Sequence, residues 1–287
     1  MVTRISRSVD SYVQLIKPPQ TAMLVLTGLT GYLSASGPPD SKASVPGLLA
    51  TLFLTVSGST MLNMVIDRGI DTRMRRTAGR PLPLGLLNPG DVLAAGAVLS
   101  GAGLAWATSM CGLYGVLLFL GWFVNVAVYS LALKRRTAWS ILWGGVSGGM
   151  PILAGRALAL GRIDWIGMLL ALSILLWIPA HIMTFNMKYL DDYRRAGVPT
   201  FPSRYGFHVT RWTVAVSSFG AVLAIGLGSL ALGLAGGFLW ILAGLSAGVF
   251  GLALVCLIRP SEKRNSRLFS LASLYMAGAM LLLILGS

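Results

Sequence analysis

The chain has 287 residues, 55% of them hydrophobic and 11% charged, with a mean hydropathy of +0.75. Soluble globular chains carry roughly 25% charged residues, so the composition argues against a soluble enzyme. Its 23 Lys and Arg against nine Asp and Glu leave a formal charge of +14. In so apolar a chain that surplus points to basic loops beside anionic lipid, not to nucleic acid. The two cysteines, Cys111 and Cys256, both lie in apolar stretches and offer neither a disulfide framework nor a zinc pattern.

Hydropathy marks nine candidate spans, roughly 13–36, 46–66, 91–110, 112–133, 138–160, 164–186, 210–234, 236–258 and 266–285. The opening polar residues run straight into the first of them, so no cleavable signal peptide is expected. Open sheets cannot cross lipid because their backbone groups would go unpaired. The expected fold is therefore all-α, a polytopic bundle of nine transmembrane helices forming one domain over 1–287. All basic residues except Lys42, Arg156 and Arg162 fall on one side. The positive-inside rule then puts the N-terminus in the cytoplasm of a cell-membrane protein.

Two polar loops, about 67–90 and 187–209, interrupt the bundle on that side. Ahead of the first stand Asn63, Asp67 and Asp71, spaced i, i+4, i+8. On a helix each such step advances about 40°, so the three oxygens share a face. Hard oxygen ligands of this kind suit Mg²⁺, which takes one or two carboxylates and completes its shell with phosphate and water. Arg76 and Arg80, just downstream, are of the type that grips phosphate oxygens. The second loop repeats the theme with Lys188, Asp191, Asp192, Arg194 and Arg195. Four of the nine acids thus sit at two span ends on one side. Together they describe a diphosphate site roofed by apolar helices. There a leaving diphosphate is neutralised and an allylic carbocation is kept from water.

These residues resemble the UbiA-type intramembrane prenyltransferases, a superfamily of nine-helix bundles. Within it the finer resemblance is to the protoheme IX farnesyltransferase (heme O synthase) branch. It is carried by Asp67-Arg68-Gly69-Ile70-Asp71 with Arg80-Pro81-Leu82-Pro83, by Leu133-Lys134-Arg135-Arg136-Thr137 and by the glycine-rich 144–151. Trp177-Ile178-Pro179-Ala180-His181 and Asp191-Asp192-Tyr193-Arg194-Arg195-Ala196-Gly197-Val198-Pro199 complete it. It spans about 12–206. The resemblance implies Mg²⁺-dependent transfer of a farnesyl group from farnesyl diphosphate to a vinyl group of heme B. Asn63, Asp67, Asp71, Asp191 and Asp192 would be metal ligands, the four aspartates also catalytic. Arg76, Arg80, Lys134 and Lys188 would hold the diphosphate at a site facing the cytoplasm. Departures such as Ala180 before His181, Ile152 after Pro151 and Arg156 fall on the acceptor side, where a quinone precursor such as 4-hydroxybenzoate, or a glyceryl phosphate, is the alternative. A heme-binding assembly factor without catalysis is a further alternative, and a transporter, the remotest, would carry its polar residues near the midplane, whereas these acids lie at span ends.

Other residues carry two readings each. His181 is either a helix–helix hydrogen-bond partner or a residue facing the porphyrin. Arg156 either answers a propionate or snorkels, and Arg162 pairs with neighbouring Asp164. Gly144, Gly145, Gly148 and Gly149 predict close helix packing. Asn125 and Tyr129 are polar groups in a span, with Tyr129 placed to shield a cation by its ring face.

Overall fold

The computed structural model describes residues 10–35 and 44–286; of the basic residues that set the orientation, Arg4 and Arg7 on the basic side and Lys42 opposite lie outside them. Among the described residues the secondary structure is entirely helical. In chain order the helices are α1 (Pro18–Leu33), α2 (Val45–Asp71), α3 (Pro89–Met110) and α4 (Gly112–Phe123), which continues as a π-helix over Val124–Leu133. Then follow α5 (Ser140–Leu160), α6 (Trp165–Lys188), the short α7 (Leu190–Arg195), α8 (Phe201–Ala231), α9 (Gly236–Ile258) and α10 (Glu262–Gly286).

Among the described residues seven helices are long and apolar enough to cross a membrane, with α4 and its π continuation counting as one. Of the nine expected spans, α1 falls short with 16 residues. In α5, glycines, serines and Arg156 dilute the apolar run. Large apolar side chains face outward: Trp240, Ile258, Leu274 and Val98 are all strongly exposed, as expected of a chain whose solvent is hydrocarbon.

Between apolar helices in lipid there is little hydrophobic gain, so packing must come from close approach. The α1–α5 contact shows how close. A Cβ on Gly31 would lie 2.0 Å from the Ile152 carbonyl oxygen, and one on Gly155 would lie 2.0 Å from that of Gly28. The glycine-rich face of α5 packs as the sequence implies, with Gly149 against the Ala171 backbone of α6. Pro18, Pro46, Pro89 and Pro202 each stand in the first turn of a helix, where the missing N–H costs nothing.

The C-termini of α2, α4 and α6 and the N-termini of α1, α8 and α10 meet at one end. Lys134 pairs there with Asp67, and the Asn265 amide donates to the Thr184 carbonyl at 2.8 Å. The opposite end carries the Asp164 cap of α6. Asp164 does not pair with Arg162, as sequence adjacency suggests. Gly161, in the left-handed region at φ 68°, turns the chain back, and Arg156 forks onto Asp164 at 2.8 and 3.0 Å from Nε and 2.8 Å from the terminal nitrogen. Its other terminal nitrogen donates to the Ser34 carbonyl at 2.7 Å. Buried at both ends of this fork, Arg156 neither snorkels nor faces an open cavity.

Candidate active site

α2 runs on through Asp71, so Asn63, Asp67 and Asp71 stand on one continuous helix and not partly in a loop. All three are buried. Their burial is matched by the facing π-helix. Asn125 donates to Ser59 Oγ at 2.8 Å, Ser130 donates to Asn63 Oδ1 at 2.9 Å, and Lys134 donates to Asp67. Ser59, Asn63 and Asp67 advance in steps of four, while Asn125, Ser130 and Lys134 advance by five and then four. The i→i+5 bonding of the π segment, seen in Lys134 N–H to Tyr129 carbonyl at 2.8 Å, lets the second helix keep pace with the first. π segments of this sort concentrate at functional sites. Nothing in the sequence signals this one.

The loop after α2 folds back beneath it. Thr77 Oγ1 donates to the Asp71 carbonyl at 3.0 Å, and Arg80 reaches the Asp71 carboxylate at 2.8 Å. The second acidic segment arrives from 117 residues away. The Arg75 and Arg76 amides each donate to one oxygen of Asp192 at 3.3 Å, and Arg195 donates to it at 2.6 Å. Burial alone would raise the Asp192 pKa, but the Arg76 and Arg75 amides and the Arg195 guanidinium outweigh it and hold the carboxyl below the usual carboxylate range. Ile70 and Met74 pack against Ala196 and Val198, with Tyr193 alongside, to seal the junction. The two loops that the sequence separates are thus one structure.

Asp191 is not drawn in: its side chain is 87% exposed and its nearest cation is Arg194 at 4.0 Å. Arg76 lies over the rings of Phe185 at 4.8 Å and Tyr189 at 5.4 Å. Lys188 is exposed and stands on Tyr189 too, at 5.4 Å, but it lines a separate cavity with α10. Tyr129 is half-buried below Lys134, its ring 5.7 Å from the ammonium. His181 is stacked between Trp177 at 4.8 Å and Phe269 at 4.6 Å, with Nδ1 3.1 Å from Ser273 Oγ. Its ring thus ties α6 to α10, the first of the two readings given for it.

Lys17 belongs to the cluster although its sequence context gives it only a place among loop cations. It caps α1 with φ 48°, the one non-glycine residue at positive φ among those described. Such strain is of order 1–3 kcal/mol and marks sites where the surroundings dictate the backbone. Burial, then the charges of Arg80 and Lys134, push its ammonium down to about 8, against the opposing pull of Asp67 and Asp71. The cluster therefore holds Lys17, Arg80 and Lys134 around two carboxylates, an excess of positive charge that favours a further anion.

Among the described residues no three His, Cys, Asp or Glu side chains converge as a preformed metal site. Mg²⁺ does not require that many, since one or two carboxylates with phosphate and water suffice. One feature fits it directly: Asp67 Oδ1 is buried with no hydrogen-bond partner. An oxygen so placed costs free energy unless something else completes it.

The match to the UbiA prenyltransferase family model runs over residues 24–279. The chain belongs to that family. It is similar to the protoheme IX farnesyltransferase of Thermofilum pendens, at 41% identity over 69% of this chain and 70% of that protein. It is also similar to that of Archaeoglobus fulgidus, at 33% identity over 96% of each. A solved structure from work on digeranylgeranylglyceryl phosphate synthase in membranes superposes with a TM-score of 0.79 at 18% identity, covering 98% of both chains. A UbiA homologue from Archaeoglobus fulgidus bound to GPP and Mg²⁺ superposes with a TM-score of 0.68 at 12% identity, over 95% of this chain and 99% of that one. At those identities the structures share the fold. The family and the outward apolar surface together make this a multi-pass membrane protein.

Proposed function

We propose that this chain transfers a farnesyl group from farnesyl diphosphate to a vinyl group of protoheme IX, giving heme O. The whole chain 1–287 would act as one transmembrane domain in the cell membrane. α1 and α5, packed inside the bundle, would complete nine spans, with the N-terminus and the active site on the cytoplasmic side. The identity to protoheme IX farnesyltransferases supports the acceptor, and the basic end of the bundle supports the orientation.

The observation that carries the reaction type is the junction of the two acidic segments, in which Asp192 caps the Arg75 and Arg76 amides beneath the Asp67 and Asp71 helix. Asp67, through its free Oδ1, with Asn63 and Asp71 would hold Mg²⁺, which supplies charge neutralisation for the leaving diphosphate. Asp192 would hold the loop that brings Arg76 to the diphosphate, with Asp191 at the outer edge. Lys134 and Arg80 bind carboxylates at rest and would turn their remaining donors to phosphate oxygens. Lys17 would add a third cation from α1.

In the reaction the C1–O bond of the prenyl chain breaks and its electron pair leaves with the diphosphate. The allylic cation is attacked by the vinyl π bond, which forms the C–C bond. Water adds to the resulting cation and loses a proton, leaving a hydroxyethylfarnesyl chain. Tyr129, beside Lys134, would present its ring to the cation, and the apolar walls of α4, α5 and α6 would exclude water until the acceptor attacks.

The test is the product mass formed by purified protein from heme B, farnesyl diphosphate and Mg²⁺. Heme O is expected. Unmodified heme beside prenylated 4-hydroxybenzoate, or a prenylated glyceryl phosphate, would overturn the acceptor.

A further inference from the structure

An open cavity of about 700 Å³ lies at the start of α10, lined by none of the acidic-cluster residues. Lys188, Lys263 and Arg267 line it, with Glu262 as the one acid and Leu271 and Leu274 below them. α10 presents Lys263, Arg267, Leu271 and Leu274 three or four residues apart, so cation grades into hydrocarbon along one face. Among the described residues none of the three cations forms an ion pair, and Arg267, Lys263 and Lys188 are all exposed. Such a gradient fits an anionic amphiphile whose acids sit at the mouth.

The cavity is next to the diphosphate cluster. Tyr189 links the two, with Lys188 of the cavity 5.4 Å from its ring and Arg76 of the cluster 5.4 Å from the same ring. Phe185 continues the aromatic contact, its ring tilted 4.6 Å from that of Tyr189 and 5.6 Å from that of Phe269 of α10. Lys188 of the cavity and Arg76 of the cluster thus share one aromatic pair, Phe185 and Tyr189.

We propose that this cavity receives the carboxylate edge of the acceptor, the two propionates of protoheme, and so sets which edge of the macrocycle meets the allylic carbon. The inference rests on the heme-farnesylating reading above. Lys188 then serves the acceptor and not the diphosphate. Protoheme bears its vinyl groups on the edge opposite the propionates, so anchoring the acids leaves the reacting edge free. Two carboxylates against three cations and one acid also balance the local charge.

The experiment compares protoheme with its dimethyl ester as acceptor, for wild type and for Lys263→Gln, Arg267→Gln and the double variant, in phosphatidylcholine nanodiscs with and without phosphatidylglycerol. Losing a charge-assisted bond to a carboxylate should raise the protoheme KM about tenfold per cation. The ester KM and the farnesyl diphosphate KM should not move, which also reports intact folding. Equal KM for acid and ester in wild type, or variants indistinguishable from it, would overturn the proposal. Variants that impair both acceptors alike, and only where phosphatidylglycerol is present, would overturn it in favour of a lipid headgroup site. Should wild type farnesylate neither acceptor, the functional reading falls. Soret titration of the same proteins then still decides carboxylate recognition, with equal affinities for acid and ester overturning it.

Discussion

The two ends of the bundle both set aspartate against a basic side chain, and they do so to opposite purpose. At one end Arg156 meets Asp164 in a fork and gives its remaining nitrogen to Ser34. Asp164 also accepts from the Gly167 amide at 3.0 Å. One cation answers one anion and every contact is used. At the other end Lys17, Arg80 and Lys134 surround Asp67 and Asp71, and one oxygen of Asp67 is left without a partner. A closed pair of the first kind holds helices together. A cluster left short of an anion and of a ligand for a buried oxygen is built to be completed by something that binds.

That contrast can be broken by substitution. The largest effect is expected at Asp67. Asp67→Asn keeps the shape but removes the charge that would hold metal, and turnover should fall about 10²–10³-fold while the melting temperature in detergent stays within a few degrees. Asp164→Asn should do the reverse. Arg156 would be left buried without its carboxylate, costing about 3–5 kcal/mol of stability. That would appear as a lowered melting temperature, with the KM for farnesyl diphosphate unchanged at temperatures where the variant is folded.

Asp164 also sets a pH dependence. Burial would raise its pKa, but the Arg156 guanidinium and the Gly167 amide prevail and lower it. A depressed carboxyl contributes stability that is present above its unfolded value and lost as pH falls through the folded value. Wild type should therefore lose melting temperature on acidification below the ordinary carboxylate range, and Asp164→Asn should flatten that part of the profile.

Gly155→Ala sharpens the packing half of the comparison. Its methyl would meet the Gly28 carbonyl at 2.0 Å, and the helices must separate at a cost of about 1–3 kcal/mol, read as a lowered melting temperature. The smallest effect expected is at Lys17. Lys17→Ala should raise the KM for farnesyl diphosphate about tenfold, the loss of one charged bond, and leave the acceptor KM as it was.

Much of the reactive end was legible in the chain. Asn63, Asp67 and Asp71 could be placed on one face because helical spacing is local, and the glycines of 144–149 announced close packing for the same reason. The junction of the two loops could be stated only as an expectation, since which amides Asp192 caps depends on how α7 docks. Lys17 reads from the sequence as a loop cation only, because Asp67, Asp71, Arg80 and Lys134, its charged neighbours in the fold, are far from it along the chain. The π segment is not legible there because a single extra residue per turn leaves hydropathy unchanged. Adjacency pairs Arg162 with Asp164, whereas the turn at Gly161 delivers Arg156. The position of Lys188 beside Asp191 and Asp192 suggests a diphosphate cation, and only the fold shows that the end of α6 also brings it to the cavity lined by α10.

The most direct measurement is calorimetric titration of a non-hydrolysable farnesyl diphosphate analogue into wild type and Asp67→Asn, with and without Mg²⁺. One molecule should bind per chain in the wild type, tightly only when Mg²⁺ is present, and the substitution should abolish that dependence. Equal affinity in all four titrations would contradict a site in which Asp67 and its helix neighbours take hold of a metal-bound diphosphate.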